Sequence, residues 1–159
     1  SMTDHSLFWS IVQRVRNPDP EVAAEALDAE LRGLTTDQVR VYERSFLEEM
    51  SRANTWAHHS SAQDVMGAVS GLSFVSDDVF VSLRTWVIYQ GKDAFDAWVR
   101  DPATLADLGL DSDEQVGLAE ELEFLPTAVY EERTGRQLSD ELPQELSPYE
   151  TPTGTAPHS

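Results

Sequence analysis

Residues 76–91, "SDDVFVSLRTWVIYQG", decide how the chain is read. At about 100° per residue, Phe80, Leu83, Val87 and Gly91 share one arc of a helix, widened by Val81 and Ile88 on one side and by Val79 and Trp86 on the other. A helix apolar over that much of its circumference has neighbours on most sides, so this one is central. Ser76 caps its start, Asp77 and Asp78 sit in the first turn where the helix dipole favours acids, and Gly91 closes it. Arg84 lands beside the apolar arc, with Asp77 on the same side. A guanidinium there needs an acidic partner: Asp77 first, or Glu43, Glu49 or Asp64 through the fold. The competing reading is a polar pocket in which Arg84 grips an anionic ligand.

Outward from this helix, apolar residues recur at three- and four-residue steps, and no run shows sustained alternation, so the chain reads as all-helical. Phe8, Ile11, Val12 and Val15 form one stripe of a first helix from His5 to Arg16, ended by "NPDP". Asp19 caps a second helix with Pro20 at its first position, and Gly33 stops it. Thr35 and Gln38 make a capping box ahead of Val39, Tyr42, Phe46 and Met50. A fourth helix surrounds Trp56 and runs to Val69. A short helix follows from Asp93 to Arg100, with a possible turn over "TLADL". The last begins at Ser112 and Gln115 and runs to Gly135, with a kink expected where Pro126 removes the bond to Leu122.

After Gly135 the composition turns to Pro, Ser, Thr and Glu. The expected organisation is therefore a compact single-domain bundle of about six to eight helices over residues 4–135, followed by an acidic, disordered tail over residues 136–159. The 159-residue chain with 40% hydrophobic content suffices for one such core.

Composition excludes several functions. The absence of cysteine removes disulfides, thiolate catalysis and thiolate metal sites. A formal charge of −18, from 29 acids and 11 bases, argues against nucleic-acid backbones and anionic membranes as partners. No apolar run is long enough to span a bilayer and no signal peptide is recognisable, so the expected location is cytoplasmic.

The chemistry-bearing clusters have simpler explanations. Asp77 and Asp78 point about 100° apart on a helix and read as N-terminal acids rather than paired metal ligands. His58, His59, Ser60 and Asp64 supply too few ligands for zinc and lack the motifs of metalloproteases or serine hydrolases, so they read as a wet helix face. Trp9, Trp56, Trp86 and Trp98 read as core and edge residues. No metal site, cofactor or catalytic residue is expected.

The stretch Ser76, Asp77, Asp78, Phe80, Arg84, Trp86, Ile88, Gln90 and Gly91 resembles a bacterial domain-of-unknown-function family, number 4240. "LFWSIVQRVR", "RANTW" and "AVYEERTG" support the resemblance, which covers about residues 5–135 and omits the tail. It implies the same helical fold and the same polar residues at the edge of the core, but no activity.

Two functions are therefore carried forward. The first is a non-enzymatic protein-interaction or accessory module whose acidic surface meets a protein partner with a basic surface. The alternative is a small-ligand binder or enzyme with a pocket around Asp77, Asp78, Arg84 and Trp86. A nucleic-acid mimic is a third reading.

Overall fold

The computed structural model describes residues 4–157. Its helices are α1 (Ser6–Val15), α2 (Pro20–Arg32), α3 (Thr36–Arg52), α4 (Trp56–Ser70), α5 (Asp77–Ile88), α6 (Lys92–Arg100) and α7 (Asp113–Thr134). A 310 turn over Pro102–Asp107 stands where "TLADL" predicts one. No strand occurs among the described residues. The only extended pairing there is an isolated parallel bridge between Thr55 and Thr153.

Helix starts follow local chemistry. The Asp19 side chain accepts from Glu21 N at 2.9 Å ahead of Pro20. Thr35 and Gln38 close a reciprocal box, with Gln38 N to Thr35 Oγ1 at 3.1 Å and Thr35 N to Gln38 Oε1 at 2.9 Å. Ser112 N donates to Gln115 Oε1 at 3.1 Å at the start of α7. Gly91, at φ 115°, turns the chain from α5 into α6. That positive φ favours glycine, and a Cβ there would also displace the Arg16 guanidinium, whose Nη1 donates to Gln90 O at 2.5 Å.

α5 is the central helix. Its residues from Phe80 to Ile88 are buried without a gap, and α7 packs along it while also covering α2 and α3. Pro126 lies inside α7, which continues helically on both sides of it; the proline leaves Leu122 O without its usual donor. Phe8, Trp9, Tyr42, Phe46, Phe95 and Trp98 fill the core between α1, α3 and α6, in edge and tilted contacts such as Phe8 to Tyr42 at 5.0 Å.

Beyond Gly135 the described residues hold 310 turns over Leu138–Glu141 and Gln144–Leu146. The segment lies along the helical body. Leu138 is buried, Arg136 pairs with Glu141 at 2.7 Å, and Arg40 of α3 reaches Glu141 at 3.3 Å. Pro148 O, Glu150 O and both the N–H and the C=O of Thr153 are met by side chains and backbone of the body.

Candidate functional site

Arg84 does not make the ion pair that its place on the helix suggests. Asp77 is exposed, and no carboxylate lies within ion-pair distance of Arg84 among the described residues. The guanidinium, 1% exposed, divides its donors between two backbone carbonyls: Nη1 to Met50 O at 3.0 Å and Nη2 to Pro148 O at 2.8 Å. It lies over the Phe80 ring, 4.4 Å from the centroid, and its Nε has no partner. Burial pushes its pKa down to about 10, opposed by the charge of Glu123, so it stays cationic at neutral pH.

Pro148 lies in a turn, closed by Glu150 N donating to Ser147 O at 3.2 Å, that opens a segment held by its main chain. Asn54, in the turn between α3 and α4, donates from Nδ2 to Glu150 O at 2.9 Å. Thr153 N donates to Asn54 O at 3.0 Å, and Trp56 N donates to Thr153 O at 2.9 Å. These bonds read the path of the segment through its backbone. Pro148 and Pro152 lack an N–H and so require no acceptor. The side chain of Tyr149 remains 47% exposed.

Beside the segment, α3, α7 and the tail enclose a cavity of about 590 Å³, walled by Glu43, Phe46, Glu123, Phe124, Leu142 and Tyr149, among others. Glu43, 5% exposed, has one carboxyl oxygen, Oε1, without a hydrogen-bond partner. Burial, and secondarily the charge of Glu123, raises its pKa to about 8. Glu123 accepts from Ser82 Oγ at 2.7 Å, and burial raises its pKa to about 7 despite that bond.

Glu49, another buried acid of α3, is fully occupied. His5 Nδ1 contacts its Oε2, Trp9 Nε1 donates to the same oxygen at 3.3 Å, and Arg52 Nη1 donates to Oε1 at 2.6 Å. His5 also reaches Glu48 at 2.9 Å, and the two carboxylates outweigh burial to raise its pKa.

The remaining sequence candidates are dispersed. Asp77 and Arg84 share a crevice of about 10 Å³ that the tail closes, whereas Trp86 lines a separate crevice of about 10 Å³ with Ala23, Tyr89 and Leu122. Asp78 is exposed in the first turn of α5. The expected wet face at "HHSS" is corrected at its first histidine. His58 is 4% exposed, and its Nε2 sits 2.9 Å from Trp98 O while its Nδ1 sits 2.7 Å from Thr55 Oγ1. A carbonyl only accepts, so Nε2 carries the proton and Nδ1 accepts from the threonine hydroxyl. Burial lowers the pKa of this neutral ring. His59 donates to Val75 O at 3.0 Å, which ties α4 to the entry of α5. Among the described residues no three His, Asp or Glu side chains gather to hold a metal, and no helix is long and apolar enough to cross a membrane.

A family model described as "Protein of unknown function (DUF4240)" matches residues 2–132. The chain belongs to that family. The DUF4240 match takes in Glu43, Asn54, Arg84 and Glu123, the body's side of the site, and stops before the tail that fills it. No curated protein and no solved structure matches the chain.

Glu43, Asn54 and the tail segment were beyond sequence reasoning as a site. One signal was present: Arg84, a cation placed against apolar neighbours. Its partners are carbonyls, which no residue letter announces.

Proposed function

We propose that this DUF4240 domain is a protein-interaction module whose groove, formed by Arg84, Asn54 and Trp56, takes a non-helical, proline-containing segment of a basic partner protein. The chain's own residues 148–153 are the occupant in cis. One observation carries this reading: the segment is held by a run of hydrogen bonds to its main chain, from Pro148 O to Thr153 N, by a body that makes them with few demands on its side chains.

Charge favours a basic partner. Asp140, Glu141, Glu145 and Glu150 make the tail acidic, and it lies on a body whose facing acids include Glu43, Asp77, Asp78 and Glu123. The cis occupant fits in shape and is mismatched in charge, which keeps it exchangeable. A basic segment of the same path would keep the backbone bonds and lose the repulsion. The cysteine-free composition suits a reducing compartment, and we take the bacterial cytoplasm as its setting.

The test is fluorescence anisotropy of the full chain with two labelled peptides, residues 144–155 as they stand and the same peptide with Glu145→Lys and Glu150→Lys. The basic peptide should bind at least about tenfold more tightly. Binding should strengthen when Thr153→Pro removes the cis N–H that reaches Asn54, and weaken with Asn54→Ala. Equal or absent binding of both peptides to the Thr153→Pro chain would contradict the proposal.

A further inference from the structure

The cavity between α3, α7 and the tail is a different feature from the groove, and it is formed with the tail seated. Its volume of about 590 Å³ lies in the range of small-molecule sites. Most of its wall is apolar: Phe46, Leu47, Phe124, Leu142 and Pro143. Into this wall the fold sets two carboxyl groups from facing helices, Glu43 and Glu123, with no cation bonded to either among the described residues. Glu43 keeps one oxygen without a hydrogen-bond partner while being 5% exposed, a costly arrangement that the fold avoids at the equally buried Glu49. At the rim stand Phe124, 51% exposed, and Tyr149, 47% exposed, two large aromatic rings that the fold leaves in solvent.

We propose that this cavity is a binding site for a small organic ammonium ion with an apolar, aryl-sized body. The ammonium group would pair with the carboxyl groups of Glu43 and Glu123 that the cavity wall presents. The hydrocarbon body would lie against Phe46 and Leu142, with Phe124 and Tyr149 offering ring faces at the entrance. An anion is disfavoured by Glu43, Glu123, Asp140 and Glu150 in the wall, and a neutral molecule would bring no charge to meet Glu43 and Glu123 once they ionise at alkaline pH. A metal ion would find no three His, Asp or Glu side chains gathered to hold it among the described residues. The net charge of −18 draws cations toward the surface without placing them, so placement rests with the cavity.

The probe is phenethylammonium chloride, with 2-phenylethanol as its neutral counterpart of nearly the same shape, each titrated into the full chain by calorimetry at slightly alkaline pH. The ammonium ion should bind one to one and saturably, and the alcohol at least about tenfold more weakly. Glu43→Gln and Glu123→Gln, which keep shape and remove charge, should each weaken the ammonium ion by about tenfold. Phe124→Ala, on the exposed rim, serves as a variant that cannot disturb the core and should also weaken binding. The proposal is overturned if amine and alcohol bind alike, if the amine fails to saturate below about 1 mM, or if its binding is indifferent to all three substitutions. That last result would mark general attraction to an acidic surface. The titrations are made without a partner, so the tail stays seated and the cavity is formed whether or not the tail can exchange.

Discussion

Glu43 and Glu49 stand on the same helix and are equally buried, yet their surroundings differ in kind. Around Glu49 the fold brings an imidazole, an indole N–H and a guanidinium, so the carboxylate's oxygens are met and tie α1, α3 and α6 together, the last through the Arg52 to Asp96 pair at 2.9 Å. Around Glu43 it brings another acid and a cavity, and the carboxyl responds by holding its proton to about pH 8. One acid belongs to the structure, and the other belongs to a site. Burial alone does not separate the two roles; the presence or absence of partners does.

The largest expected effect breaks the structural half of this contrast. Glu49→Ala leaves the Trp9 N–H unsatisfied and frees His5 and Arg52, and should destabilise the fold by about 3 kcal/mol in chemical denaturation. A loss below about 1 kcal/mol would mean that the cluster is a surface arrangement of little consequence.

Next in size is the response of Glu43 to pH. Its folded pKa, about 8, lies above the ordinary value of 4.5, so between those values the folded state binds more protons than the unfolded one. Stability should therefore fall as pH rises from 5 to 8.5, by on the order of 3 kcal/mol from this group. Glu43→Gln should make the profile shallower, with Glu123, whose pKa is raised to about 7, supplying part of the remaining fall, and should be the more stable protein at pH 8.5. His5, whose folded pKa is raised above 6.5, adds a loss of the same sign as pH climbs through its folded value, and that part should persist in Glu43→Gln and vanish in His5→Gln. A wild-type profile that rises over this range would contradict the account of Glu43.

Most of the fold was legible because helix starts and stops are local. Thr35 with Gln38, Ser112 with Gln115, Asp19 with Pro20, and Gly91 each act within a few residues, and the observed bounds follow them. The site was not legible, because its decisive partners are distant and carry no signature. Arg84 meets the carbonyls of Met50 and Pro148, and Asn54 meets that of Glu150. The apolar stripes of α3 and α7 say that these helices pack together. They do not say that Glu43 and Glu123 would line one cavity. His58 shows the same limit, since its burial depends on Trp98 O arriving from α6.

A smaller effect is expected at Arg84 itself. Arg84→Met keeps most of the buried volume and removes a charge whose burial is unfavourable, and Met50 O retains the Ala53 N–H at 3.2 Å. The body should therefore melt within a few degrees of the wild type, while protease cuts between residues 140 and 152 at least about tenfold faster, in line with the loss of a charge-assisted hydrogen bond. A collapse of the melting temperature would move Arg84 back to a purely structural role.

Hydrogen exchange of the tail tests the central claim most directly, namely that Arg84 and Asn54 hold the chain's own non-helical segment as they would hold a partner's. In the wild-type chain the amides of Trp56 and Thr153 should exchange well below the rates of unstructured peptides. In Arg84→Met and Asn54→Ala the Thr153 amide should accelerate, while the interior amides of α5 remain protected. Unprotected exchange across residues 147–153 in the wild-type chain would contradict the account.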